Sequence, residues 1–314
     1  MEARFFEGDA MFHTLGRWFR SLSYHPSSSS HAPVSATLGA LKSLLGLAMV
    51  VEARDPYTAG HLWRVSQLAR LLAERAGLSP QERAYCEAGG FLHDLGKVAM
   101  PDHVLFKGGP LTPDEFEIMK THPTVGAHML SPHALGSAVH AAVLSHHERP
   151  DGEGYPQGLS GASVPMVARV VGLADAFDAM TSDRPYRKGM PMGRATEIIR
   201  AERGKQFDAR WVDVLTDKVR IHELAHIVGH SDEGLPLASC PVCQGPLAMP
   251  RGAGPGMTAC RICGAELEVV KTHGVLDLRP TGRKASAEQL QPQPDLALIE
   301  VMARGMAPYA ACRT

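Results

Sequence analysis

Between residues 36 and 230 the apolar positions recur at helical spacing. Leu62, Val65, Leu68, Ala69 and Leu72 lie three or four residues apart, the period of one helix face, and Gly77 and Pro80 punctuate its end. The same period predicts helices over 80–93, 113–130, 136–147, 164–180 and 209–228, and few segments alternate as strands do. The expected fold class is all-α, a bundle that buries these faces against one another.

The pattern changes at both ends. Residues 236–280 turn to Cys, Gly and Pro with short apolar runs, and 281–314 read as a polar tail with one short helix. At the other end, 1–35 form an appendage. There Phe12, Leu15, Phe19 and Leu22 could share a helical face, with Arg17 and Arg20 elsewhere, and Ser27 to Ser30 make a linker between Pro26 and Pro33. The expected organisation is therefore an appendage (1–35), a helical domain (36–232), a cysteine module (236–280) and a tail (281–314).

With 32 basic and 33 acidic residues the formal charge is -1, which gives no global field for a nucleic-acid polymer or an anionic membrane. An anionic ligand would need a local positive site. The longest apolar stretch, 38–51, is interrupted by Lys42, so no membrane span is expected. No basic-then-apolar leader with a small-residue cleavage site opens the sequence, and paired cysteines suit a reducing compartment, so the expected location is the cytoplasm.

Candidate chemistry gathers at the predicted helix ends. His93 and Asp94 are adjacent where one helix closes, and His61, His122, His146, His147 and Asp175 fall in or beside others. Neutral imidazoles bind borderline metals, and a carboxylate can bridge two ions about 3.5–4 Å apart, the arrangement that serves in-line phosphoryl displacement. Any one of these histidines alone would read as a core or surface residue.

The surrounding words carry more. RDPYTAGH (54–61), HDLGK (93–97), KTHP (120–123), HHERPDGEGYP (146–156), ADAFDAMTSDRPYR (174–187) and GKQFDARW (204–211) together closely resemble the HD-GYP family of cyclic dinucleotide phosphodiesterases, in the family's order over about 40–215. The resemblance implies a helical HD-type bundle and metal ligands at His61, His93, Asp94, His122, His146, His147 and Asp175, with Asp94 as the bridge. It implies Lys97 on the scissile phosphate, and Arg184 and Arg187 on the ligand's phosphates. Gly154, Tyr155 and Pro156 would form a loop at the rim that also meets GGDEF proteins. The implied reaction is hydrolysis of cyclic di-GMP to linear pGpG and on to GMP. Alternatives are another cyclic dinucleotide such as cyclic GMP-AMP, or a non-catalytic sensor, although all of the family's ligands and Lys97 are kept.

Members with three metals carry a glutamate four residues before the first histidine, where this sequence has Tyr57. Two divalent ions are therefore expected, iron or manganese by the donor set.

Two further patterns compete for metal. Cys240, Cys243, Cys260 and Cys263 give two CxxC pairs sixteen residues apart, the spacing of a closed four-thiolate zinc site in a zinc ribbon. HELAHIVGHSD (222–232) fits a zinc-protease pattern, with His222, His226 and Asp232 as ligands and Glu223 as base, but little chain remains around it for a cleft. Cys86 and Cys312 fit neither pattern.

Overall fold

The structure is a computed structural model that describes residues 34–133, 136–183, 187–249, 253–272, 275–291 and 294–310. By its contacts the chain divides into Met1–His31 and Ala32–Thr314, and the described residues all belong to the second unit. The expected appendage helix and serine linker, Arg184 and Cys312 lie outside them.

The long helices are α1 (Val34–Arg54), α2 (His61–Arg75), α3 (Pro80–Leu92), α6 (His122–Leu130), α7 (Gly136–Ser145), α8 (Met166–Thr181) and α9 (Met192–Ala201), with short helices α4 (Asp102–Leu105) and α5 (Pro113–Met119) between α3 and α6. Local chemistry starts several of them. Ser79 and Glu82 form a reciprocal cap around Pro80, and Thr112 and Glu115 do the same around Pro113. The predicted α2 stripe is buried throughout, with Val65 and Ala69 fully so, and it packs on α3 and α8.

Two predicted helices are broken. The segment 113–130 splits because Pro123 has no N–H to give Met119 O, the bond a continuous helix would make there. That carbonyl instead accepts from His122 Nδ1 at 2.7 Å. The segment 209–228 becomes α10 (Ala209–Asp213), a π-helical turn (Val214–Lys218) and α11 (Ile221–Ala225). Its β-branched residues Val212, Val214, Thr216 and Val219 are poor material for a long helix.

Strand β1 (His230–Asp232) pairs antiparallel with β2 (Leu235–Pro236), and the cysteine segment after them holds further small antiparallel sheets. Strands β3 (Ala238–Ser239) and β4 (Pro246–Leu247) flank the first CxxC turn, and β5 (Gly256–Ala259) and β6 (Ala265–Thr272) flank the second. Strand β7 (Val275–Lys284) pairs with β6 and carries the module past residue 280.

The reading of 281–314 as a polar tail is corrected. Helix α12 (Leu296–Ala310) packs along α1, burying Leu298, Ile299, Met302, Ala303, Met306 and Ala307 in the main core. Those residues form a stripe at helical spacing, so the segment is polar only over its first half and carries a core-facing helix in its second. No helix among the described residues is long and apolar enough to cross a membrane.

Candidate metal centre

Three donor clusters occur among the described residues, each with its ligand atoms within 4.8 Å of one another: His61, His93 and Asp94; His122, His146 and His147; and the four cysteines. The first two share a wall, because Asp94 faces both. Its Oδ2 lies 3.6 Å from His61 Nε2 and 3.3 Å from His93 Nε2, while its Oδ1 lies 3.4 Å from His122 Nε2. Asp175 Oδ1 joins the first group, 3.5 Å from His61 Nε2. The seven residues come from α2, the end of α3, the start of α6, the end of α7 and the middle of α8.

Backbone and carboxylate acceptors orient the rings. His93 Nδ1 donates to Gly90 O at 2.7 Å, His122 Nδ1 to Met119 O at 2.7 Å and His146 Nδ1 to Val143 O at 2.9 Å. A carbonyl only accepts, so Nδ1 carries the proton in each ring and Nε2 keeps its lone pair. His61 Nδ1 meets Asp178 Oδ2 at 2.8 Å. Asp178 in turn accepts from Arg64 Nε at 2.5 Å, and Arg64 Nη1 donates to Ala59 O at 2.8 Å and His230 O at 2.9 Å.

Electrostatics divide the set. Burial holds His122 down to about 3 and His147 to about 4, and lowers His146 strongly, so these rings are neutral at ordinary pH. Burial also opposes charge on His61, but hydrogen bonds to Asp178 and Asp94 lift it to about 9. Asp94 is held well below its usual range because His93 and Lys97 outweigh its burial.

The residues fit divalent metal. His93 Nε2 is buried without a hydrogen-bond partner and faces the shared carboxylate, itself an acceptor, so a cation between them would satisfy both. Nitrogen and carboxylate donors in this mixture suit iron, manganese or zinc. Lys97 Nζ lies 2.7 Å from Asp94 Oδ2, at the edge of the same centre. Gly96, between them, is needed for close approach: a Cβ there would lie 1.9 Å from His122 O.

A cleft of about 480 Å³ opens beside the second group, lined by Phe116, Lys120, His147, Tyr155 and Arg169 among others. The Tyr155 ring stacks on His147 at 4.6 Å, and Phe116 meets Tyr155 edge-on at 6.2 Å. The loop holding Tyr155 is tied down by buried Glu148, which accepts from Gln157 N at 2.6 Å and Leu159 N at 2.8 Å. At Gly154 a Cβ would come within 2.4 Å of Arg149 N, and Pro156 is exposed at the loop's edge.

Other expected site residues lie apart. Arg187 spends its guanidinium on Ala179 O at 2.6 Å, Met180 O at 3.0 Å and Lys188 O at 3.2 Å, capping the end of α8. Glu223 of the protease-like word pairs with Arg75 and accepts from Arg220 N, and its histidines join no donor cluster among the described residues. Asp178, Arg64, Glu148, Phe116, Lys120 and Arg169 were not singled out from the sequence. Lys120, Glu148 and Asp178 stand inside words already quoted, and Asp178 also lies three residues after Asp175 on the same helix face.

The four cysteines form a second, separate centre. Sγ of Cys240 and Cys263 are 3.8 Å apart and those of Cys243 and Cys260 3.6 Å apart. A tetrahedral ion with Zn–S bonds of about 2.3 Å sets thiolates about 3.8 Å apart, so the cluster has the dimensions of a closed zinc site.

A helical bundle that converges two histidine groups on one carboxylate is a frame suited to divalent metal. The HD domain model matches residues 46–211, over half of the sequence, and the chain belongs to that family. It is 45% identical over 179 residues to the cyclic di-GMP phosphodiesterase response regulator RpfG of Xanthomonas campestris pv. campestris, covering 55% of this chain and 47% of that protein. It is 41% identical over 172 residues to a cyclic di-GMP phosphodiesterase of Thermotoga maritima, covering 53% and 46%. A Vibrio cholerae protein, 3'3'-cGAMP-specific phosphodiesterase 3, is 32% identical over 175 residues, covering 55% and 38%. The chain spans about half the length, or less, of these curated relatives.

Proposed function

We propose that this chain is a metal-dependent phosphodiesterase that hydrolyses a cyclic dinucleotide, cyclic di-GMP first, to linear pGpG and then GMP. The observation that carries the reading is Asp94, whose two oxygens face two separate histidine groups. Relatives named for cyclic di-GMP and for 3'3'-cGAMP support the substrate class, and the choice of base falls to the cleft walls.

Two divalent ions, iron or manganese, would be held by His61, His93, Asp94 and Asp175 on one side and His122, His146, His147 and Asp94 on the other. Bound there, they would activate a water and neutralise phosphoryl charge. The chain's own groups do the rest. Lys97 places a cation beside the shared carboxylate, within reach of a phosphate oxygen. Tyr155 and Phe116 offer aromatic surface for a base, and Lys120 Nζ, 5.5 Å from the Phe116 ring centre, adds positive charge at the rim. The loop 151–156 is the proposed meeting point with GGDEF proteins, and Arg184 the proposed outer phosphate contact, Arg187 being engaged with the carbonyls that end α8. The four cysteines would hold one zinc.

The test is hydrolysis of cyclic di-GMP by protein loaded anaerobically with iron or manganese, against the His93→Ala/Asp94→Ala double variant. Turnover that disappears in the double variant is expected. Metal and nucleotide binding without turnover in the unaltered protein would instead make it a sensor, and turnover that survives in the variant would place the chemistry elsewhere.

A further inference from the structure

The end of α1 is a junction. Three consecutive residues there each hold a different part of the molecule. Glu52 Oε1 accepts from Leu62 N at 2.9 Å, fixing the first turn of α2, which begins with His61. Arg54 donates from Nη1 to Val98 O at 2.6 Å and from Nη2 to Met100 O at 3.3 Å and Asp102 Oδ1 at 2.7 Å, bracing the turn that carries Lys97. Between them, the carbonyl of Ala53 accepts from Arg261 Nη2, 208 residues away in sequence.

Arg261 lies inside the second CxxC knuckle, directly after Cys260, which is fully buried. Its Nε also donates to Leu290 O at 3.2 Å, so the guanidinium is held from two sides. Contact with the loop before His61 is broader than this one bond. Strand β4, beside the first knuckle, packs on the turn Pro56–Thr58. Tyr57, in that turn, feels the cluster: burial, then Cys243 and Asp55, then the other thiols nearby, raise its phenol pKa.

The position of the knuckles depends on what the cysteines hold. Sulfur pairs at 3.6 and 3.8 Å would repel as thiolates unless a cation lay between them, and an ion bound there would fix Cys260 and Cys263 on either side of Arg261. We infer that Arg261 is a positioning residue for the histidine–aspartate metal centre, through which the metal of the four-cysteine cluster sets the geometry of His61 and Lys97. The inference rests on the proposed reading of that centre as metal-binding, and makes the cysteine module a metal-dependent brace for it. An ion lost from the thiolates, by exchange or thiol oxidation, would free Arg261, slacken Ala53 and loosen both arms of the junction.

The experiment uses the full chain and Mn2+ alone as the probe, with binding read by electron paramagnetic resonance and zinc counted by elemental analysis. Arg261→Ala should keep its zinc and unfold in one cooperative transition, yet bind Mn2+ about five-fold more weakly, less than the roughly 10–100-fold set by a ligand's own hydrogen-bond partner because Arg261 acts through Ala53 and its neighbours. Arg261→Lys, which keeps a donor, should recover most of that affinity. Arg279→Ala, on the exposed side of β7 of the same module, should bind as the unaltered protein does. Retained zinc with Mn2+ affinity within two-fold of the unaltered protein would overturn the inference. Should Arg261→Ala fail to fold, the unaltered protein treated with a mercurial, which strips zinc from thiolates and leaves imidazole ligands alone, decides the matter: the same drop upholds the inference and no drop overturns it. Because the readout is metal affinity, absence of cyclic dinucleotide hydrolysis would count against the proposed function and leave this result standing.

Discussion

Asp178→Asn isolates the part of the centre that orients a ligand without touching the metal. Asp178 is fully buried and accepts from His61 Nδ1 at 2.8 Å, Arg64 Nε at 2.5 Å, Arg64 Nη2 at 3.1 Å and Ser182 Oγ at 3.1 Å. An asparagine has one oxygen and one NH2, and the NH2 can only donate. Turned towards Arg64 it sets donor against donor. Turned towards His61 it makes Nδ1 an acceptor, which sends the ring proton to Nε2 and removes the lone pair the metal needs. Loss of such a partner costs about 10–100-fold in metal affinity, or about 1.4–2.8 kcal/mol. Stability falls separately, because Arg64 keeps a buried charge without its counterion. Breaking a buried pair costs about 3–5 kcal/mol, and the two carbonyls still held by Arg64 put this case near about 3. Mn2+ titration reads the first quantity and urea unfolding of metal-free protein the second. A variant that binds Mn2+ as tightly as the unaltered protein would refute the claim that Asp178 sets the His61 tautomer.

Two further substitutions test the frame around the centre. Gly96→Ala would drive a methyl into His122 O and Gly126 N, both backbone, so α6 must shift; we expect metal content per chain to fall with a stability loss of about 1–3 kcal/mol, and full metal content would show that the contact yields. Met306→Ala, at a position 1% exposed in α12, should cost about 2–5 kcal/mol in urea unfolding, whereas a residue in a solvated tail would cost less than about 0.5.

How much was legible in the sequence varied with the range of the interaction. The helices of 61–93 and 164–180 were readable because a single face repeats and the caps are local. The candidate donors that the structure brings together were readable because they stand in recognisable words at helix ends. Asp178 and Arg64 were harder, since a buried carboxylate that orients a histidine has no composition of its own and its partner lies 114 residues away. Phe116 and Lys120 reach the cleft only because Pro123 breaks the helix after them, and a helical period alone predicts an unbroken one. A short helix was expected in 281–314, but the length of α12 and its burial against α1 were not, because the polar run 281–295 before it set the reading of the whole segment. The Arg261 contact with Ala53 has no sequence signal, as its acceptor is main chain.

Three of the proposed ligand histidines take their orientation from the last turn of a helix. Gly90, Met119 and Val143 all lie among the final four residues of α3, α5 and α7, where carbonyls have no partner within the helix. His93, His122 and His146 use their Nδ1 protons to satisfy those carbonyls and so terminate the helices whose ends they occupy. Each imidazole is a stop signal for the fold on one nitrogen and a candidate metal donor on the other. A cation drawn to the centre therefore stitches three helix ends together, and the protection it confers against hydrogen exchange would be concentrated at those ends, ahead of any change in the apolar core.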